Sequence, residues 1–149
     1  MSYQADAGNY LETQVYTASR TQLIQLLFER AIRDLSQALE LVNTPDAFLE
    51  LRSWPESIRL VVHAQKIISE LQGCLNPSRG GEITVNLARL YEFMLFKTTE
   101  SVEKRDKQGL IEVRDMLGEL LDGWRTVVAS EQETVYSKGL AEEVGCLVA

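Results

Sequence analysis

A chain of 149 residues with one histidine, His63, has little from which to build acid–base chemistry. Nucleophilic catalysis of the Ser-His-Asp or Cys-His kind needs an imidazole beside the nucleophile, and no motif around His63 supplies the rest. A di-iron centre in a helical bundle takes Glu-x-x-His from each of two helices, which one histidine cannot provide. Phosphate cradles are missing as well: the sequence has no GxxxxGK[ST] and no GxGxxG, and Gly80-Gly81 alone signals a loop. A lone helical histidine could relay phosphate. His63 projects with Arg59, Lys66 and Glu70 on a polar face, but Ile67 stands where relay domains follow their lysine with glycine. The expectation is a solvated surface histidine, with no catalytic residue, metal site or cofactor.

Charge narrows the partners. Lys and Arg number 15 and Asp and Glu 22, a net charge of −7, and the basic residues fall singly apart from Lys104-Arg105. Duplex nucleic acid rewards clustered cations, so no nucleic-acid partner is expected. No run free of charged side chains exceeds 8 residues, as in Leu71 to Ser78, whereas a membrane span takes roughly 18 apolar residues. Cys74 and Cys146 form neither a disulfide framework nor a CxxC pair. The opening MSYQADAGNY has no early cation and no apolar block, so no secretory signal is read and a cytoplasmic location is expected.

The elements that hold these residues are helical. Apolar residues recur every three or four positions, and no strand-like alternation interrupts them. Ser19-Arg20-Thr21-Gln22 is a capping-box pattern that predicts a first helix starting after Ser19 and running to about Val42, striped by Ile24, Leu27, Phe28, Ala31, Leu35 and Leu39. Residues 45–54 read as a connector with a short turn through Phe48 and Leu51. Ser53-Trp54-Pro55 then starts a second helix, from Pro55 to about Leu75. After a loop at 76–81, helices are predicted over 82–104 and 107–130, joined by a turn short enough to make them antiparallel neighbours. The predicted fold is all-α, an antiparallel four-helix bundle over residues 1–130. Residues 1–18 form a short N-terminal segment or helix packed on it. Residues 131–149, which do not continue the last stripe, are expected to fray.

Two helices carry more apolar surface than a bundle core needs. The last helix keeps its stripe, including Val113, Leu117, Leu121 and Trp124, within roughly 140° of arc, which makes Trp124 a core residue. In the third helix Ile83, Leu87, Leu90, Tyr91, Met94 and Leu95 make the core stripe, yet Val85, Phe93 and Phe96 project opposite. In the second, Leu60, Ile67 and Leu71 widen the apolar arc to roughly 220°. Such a surplus marks either a groove for a partner helix or a surface that the N-terminal segment and C-terminal tail cover, since single exposed apolar residues are ordinary.

The order of residues also resembles a known family. Tyr10 precedes Val15-x-Thr17-Ala18-Ser19 and Leu23-Ile24-x-x-Leu27-Phe28. Ala64-Gln65-Lys66-Ile67-Ile68-x-Glu70-Leu71 precedes Gly80-Gly81-Glu82-Ile83-x-x-Asn86-Leu87-x-x-Leu90-Tyr91. Glu112-Val113-x-x-Met116-Leu117-x-x-Leu120-x-x-Gly123-Trp124 closes the last helix. From Tyr10 to Val127 the chain resembles the FliS family of flagellar secretion chaperones. It departs at Arg20, where the family usually has proline, and in the long connector through Trp54-Pro55.

The resemblance implies a cytosolic chaperone, not an enzyme, that binds the disordered C-terminal segment of flagellin, blocks premature filament assembly and assists delivery to the export apparatus. On that footing the partner-binding candidates are Leu60, Ile67 and Leu71 with Val85, Phe93 and Phe96, joined by Leu23 and Leu26. Tyr10 and its neighbours would fold over the empty groove. The alternative is a helical regulatory adaptor that holds an anti-sigma factor or another assembly protein on the same surface.

Overall fold

The computed structural model describes residues 2–133, and the side chains from Arg20 to Ser130 apart from Pro77 and Arg79. Four helices account for almost all of it: α1 (Ser2–Val42), α2 (Ala47–Gly73), α3 (Pro77–Lys104) and α4 (Lys107–Glu133). No strand occurs among the described residues. α1 packs against α2 and α4, and α3 packs against the same two, so the helices form a ring in which sequence neighbours run antiparallel. This is the predicted all-α bundle.

Three boundaries differ from the sequence reading. Residues 2–18 are not a separate segment packed on the bundle; they are the first turns of α1, and Ser19 lies inside the helix. A serine caps only where the preceding backbone leaves helical geometry, and residues 2–18 contain one glycine and no proline to make it leave. The predicted connector at 45–54 is likewise helical. Asp46 starts α2, its carboxylate accepting from the amides of Phe48 at 2.9 Å and Leu49 at 3.3 Å. Pro55 therefore sits inside α2 rather than at its start. A proline there forfeits one backbone bond to the carbonyl four residues back. Burial of the adjacent Trp54, only 1% exposed, holds the segment in place regardless. Phe48 and Leu51 are exposed on these new first turns, with the Arg52 guanidinium 5.7 Å from the Phe48 ring centre.

The start of α3 differs as well: residues 77–81, expected to be a loop, belong to the helix, and the Gly-Gly signal survives only as a kink within it. Asn76 caps a single turn by accepting from the Ser78 amide at 3.1 Å. Gly81 then takes φ 60°, ψ −138°, a conformation open in practice to glycine alone, and the long helix resumes at Glu82. Arg105, in the left-handed region at φ 54°, ends α3 by donating its amide to the Ser101 carbonyl.

The core runs along the bundle axis through Leu35 and Val42, Trp54, Val61 and Ile68, Met94, and Leu110, Val113 and Leu117. Each such side chain contributes about 1.5–3 kcal/mol of transfer free energy. At the Trp54 end the apolar core is covered, and the space that remains there, about 470 Å³ between α1 and α4 beside Lys107, is a more polar groove lined by Glu40, Asn43 and Arg114. A Cβ at Gly109 would collide with the Ser101 side chain, so the backbone of α4 lies directly against that side chain of α3. The Lys107 ammonium lies 3.2 Å from Glu50 and 3.3 Å from the Val42 carbonyl, tying the start of α4 to α2 and to the end of α1.

Candidate functional site

The opposite end does not close. The Ile24–Phe28 stretch of α1, the last turn of α2, the first turns of α3 after Gly81 and the second half of α4 surround a cleft of about 280 Å³. Its walls are set by helical spacing. Ile83, Leu87 and Tyr91 stand four residues apart on α3, and Leu120, Trp124 and Val127 line the facing side of α4. Leu71, Cys74 and Leu75 form the third side. The surface they leave is almost wholly carbon, and among the described residues Glu119 is the only charged one lining it.

Polar contacts brace the rim. The Trp124 indole N–H donates to the Thr21 carbonyl at 3.0 Å, fixing α4 to α1 at the cleft mouth. Beside it the Arg125 guanidinium donates to Glu29 at 3.0 Å, and the Gln25 amide donates to the same carboxylate at 3.1 Å. The Gln25 hydrogen bond first, and Arg125 second, hold Glu29 below the ordinary carboxylate pKa. Inside the cleft the shifts go the other way. Burial pushes the Tyr91 phenol up, with Cys74 adding to the effect, and burial likewise raises the Cys74 thiol. Both groups therefore stay neutral at physiological pH. The Tyr91 hydroxyl bonds to no described residue and is free to meet a ligand. The geometry suits apolar side chains from another helix, oriented by one phenol.

His63 lies elsewhere. Its Nδ1 is 2.5 Å from Asp34 Oδ2 across the α1–α2 seam, and Arg30 holds the other Asp34 oxygen at 3.5 Å. Asp34 is 2% exposed, whereas about half the His63 side chain is accessible. The expected solvated histidine is thus one half of a bridge between helices. Among the described residues the imidazole bonds to no hydroxyl or thiol. Among the described residues no three His, Cys, Asp or Glu side chains converge on one point.

The sequence-predicted partner residues do not form one groove. Leu23, Leu26, Val85, Phe93 and Phe96 are exposed, Phe96 most of all at 64%. Ile67 and Leu71 are buried, which corrects the reading that placed them outside the core, although Leu71 reaches the cleft floor. Leu60 is half-buried against the core. At about 100° per residue it lies roughly 60° around α2 from His63, which bonds α1, and roughly 140° from Gln65. Gln65 bonds Thr98 on α3 at 2.9 Å. Leu60 and the Val85–Phe96 face of α3 therefore belong to different sides of α2. The physical reason for the 220° arc is that α2 has neighbours on both flanks as well as a core. The Tyr10 side chain lies outside the described residues.

The cleft walls were missed because Ile24, Phe28, Leu87 and Tyr91 lie on the same stripes as true core residues. Trp124, expected in the core, is half-buried at the mouth. One signal was available: Ile83 sits two residues after the Gly81 break, in the first turn of the long segment, and it is 60% exposed.

Comparison with known proteins adds an independent observation. Residues 2–131 match the family described as "Flagellar protein FliS". The chain is 36% identical over 114 residues to the flagellar secretion chaperone FliSB of Pseudomonas aeruginosa, covering 76% of this chain and 85% of that one. It is 28% identical over 126 residues to flagellar secretion chaperone FliS of Salmonella typhimurium, covering 83% and 89%. With the protein of the same name from Bacillus subtilis it shares 24% over 139 residues, covering 93% and 98%.

Proposed function

The chain belongs to the FliS family of flagellar secretion chaperones, and from that premise we propose that it holds the C-terminal segment of flagellin in the cytoplasm until export. The observation that supports this most directly is the apolar cleft at the open end, which has no use in an isolated bundle. A segment that packs its apolar face only in the finished filament would otherwise expose adhesive surface as a monomer. One helical stretch of it would sit against Ile83, Tyr91 and Trp124, and the rest would cross exposed residues of α1 and α3, among them Leu23, Leu26, Val85, Phe93 and Phe96. Ile67 offers no surface for such a contact, and Leu60 little.

Coupled folding and binding of this kind typically buries about 1,000–3,000 Å² and spends a few kcal/mol on ordering the ligand. That leaves an affinity high enough to block assembly and low enough for release at the export apparatus. The scheme needs neither nucleotide nor catalysis. Among the described residues no helix is long and apolar enough to cross a membrane.

Titration with a peptide spanning the flagellin C-terminal segment tests the proposal. The expected result is saturable one-to-one binding with a gain in helicity beyond the sum of the components. Absence of binding, together with retention of an anti-sigma factor or another folded flagellar protein, would favour the adaptor reading instead.

A further inference from the structure

Five hydroxyls of the bundle are satisfied within their own helices. Ser53, Thr98, Thr99, Ser101 and Thr126 each donate to the carbonyl four residues back, at 2.7–3.0 Å. Thr84 does not. It is 1% exposed, and its Oγ1 has no partner among the described residues. The carbonyl four residues back belongs to Gly80, across the break at Gly81. The short turn before that break is closed at both ends: the Asn76 side chain accepts from the Ser78 amide, and the Asn76 carbonyl accepts from the Gly80 amide at 3.0 Å. α3 thus consists of two helical pieces joined at one glycine, and an unpartnered buried hydroxyl beside the joint raises the energy of the kinked arrangement.

We propose that Gly81 is a two-state hinge that gates the cleft. The kinked form holds the cleft open; in the other form α3 runs straight from Pro77, and the Gly80 carbonyl accepts from the Thr84 hydroxyl. Leu75 stands before the break and Ile83 after it, and both line the cleft. Rotation at Gly81 therefore changes the spacing of two walls. In the straight form the Ile83 side chain, which leans toward the N-terminus of its helix, rests on the turn before it and loses part of the face it offers a ligand. Glycine permits the exchange, because both backbone conformations are open to it. A ligand shaped to the open cleft holds the hinge kinked, by as much as it prefers that form. That this ligand is flagellin rests on the reading above; the hinge does not.

A double-mutant cycle on the full chain tests the hinge with no ligand present. Thr84→Val keeps the side-chain shape and removes the hydroxyl. In the wild-type background it should raise the urea midpoint, because an unpartnered buried group is gone. Gly81→Ala excludes the kinked backbone, and the added Cβ meets no atom of the described residues within 4 Å outside its own helix backbone. In that background Thr84→Val should lower the midpoint, because the bond to Gly80 is lost. Hydrogen exchange reads the backbone: the amides of residues 82–84 should exchange about tenfold more slowly in Gly81→Ala, where a continuous helix supplies their carbonyl partners. If Gly81→Ala leaves the kinked form about one-tenth populated, both the flagellin peptide and the apolar dye 8-anilinonaphthalene-1-sulfonate bind about tenfold more weakly. Additive shifts in the urea midpoint, or exchange at 82–84 as fast as in the wild type, overturn the inference and make the kink a fixed part of the fold. Slowed exchange with dye and peptide held as tightly as by the wild type overturns the gating. If the cycle, the exchange and the dye behave as expected but the peptide binds neither protein, the hinge stands and the flagellin reading falls.

Discussion

The two ends of the bundle are made from similar residues and differ in what closes them. At the covered end Trp54 is 1% exposed, Gly109 lets α4 press against Ser101, and Lys107 joins three helices through Glu50 and the Val42 carbonyl. At the open end Trp124 is half-buried, Gly81 breaks α3 in place of tightening a crossing, and a cleft of about 280 Å³ remains. One tryptophan fills a core while the other lines a surface. An apolar stripe therefore specifies which face of a helix turns inward, and the small residues and turns at each end decide whether that interior is shut.

Replacing each tryptophan by alanine breaks the comparison most sharply. Trp54→Ala removes a fully enclosed ring and leaves a cavity, so it should cost about 3–5 kcal/mol in urea unfolding. Its folded fraction should bind flagellin peptide with unchanged affinity. Trp124→Ala loses partial burial next to space already open, and about 1–2 kcal/mol is expected because no closed cavity forms. Peptide affinity should fall with it. Since these are the only two tryptophans, each variant reports on the other: the emission of Trp124 alone should shift on peptide binding, and that of Trp54 alone should not. Next in size is Gly109→Leu, which forces α3 and α4 apart and should cost about 1–3 kcal/mol by overpacking. At Gly123, on the open end, no atom of the described residues outside its own helix backbone stands within 4 Å of an added Cβ, and Gly123→Ala should not destabilise the fold.

A third pair separates the cleft from the outer face of α3. Ile83 and Phe96 are about equally exposed, at 60% and 64%, so Ile83→Asp and Phe96→Asp should each leave the urea midpoint nearly unchanged. Ile83 lines the cleft and Phe96 does not. Ile83→Asp should therefore weaken peptide binding tenfold or more, which corresponds to about 1.4 kcal/mol, and Phe96→Asp by less. The reverse order would move the binding site to the outer face that the sequence pattern first suggested.

The fold was legible because helical periodicity and breakers at Pro45, Gly80-Gly81 and Arg105-Asp106 are local signals. The start of α2 was not, because Ser53-Trp54-Pro55 imitates a helix start so well that it masks the Asp46 cap eight residues from Trp54. The exposed set was half legible: on a helical wheel Phe93 lies about 100° and Phe96 about 160° from Met94, and both are exposed. Ile67 and Leu71 misled because a wheel assumes one buried face, and α2 is covered from three directions. The cleft itself was not legible. Tyr91 and Met94 share a stripe, and only the path of the neighbouring helices makes one line a cavity and the other fill the core.

The smallest effect belongs to the polar brace at the open rim, and it should be visible in pH rather than in binding. Glu29 takes hydrogen bonds from Gln25 and Arg125, which lower its pKa from the ordinary value of 4.5 in the folded chain. A carboxylate with a depressed folded pKa adds stability above its unfolded pKa and loses it as pH falls through the folded value. At neutral pH, then, Glu29→Gln should unfold at slightly lower urea concentration than the wild type. The gap should shrink as pH drops below 4.5, where the unfolded carboxylate is protonated first, and vanish once the folded one follows. High salt should narrow it at neutral pH, because the Arg125 pair is partly exposed. Peptide affinity should not change, since Glu29 braces the rim without lining the cleft. A gap that persists undiminished at low pH would mean that the glutamate contributes through packing, and the open end would then be held by the same means as the covered one.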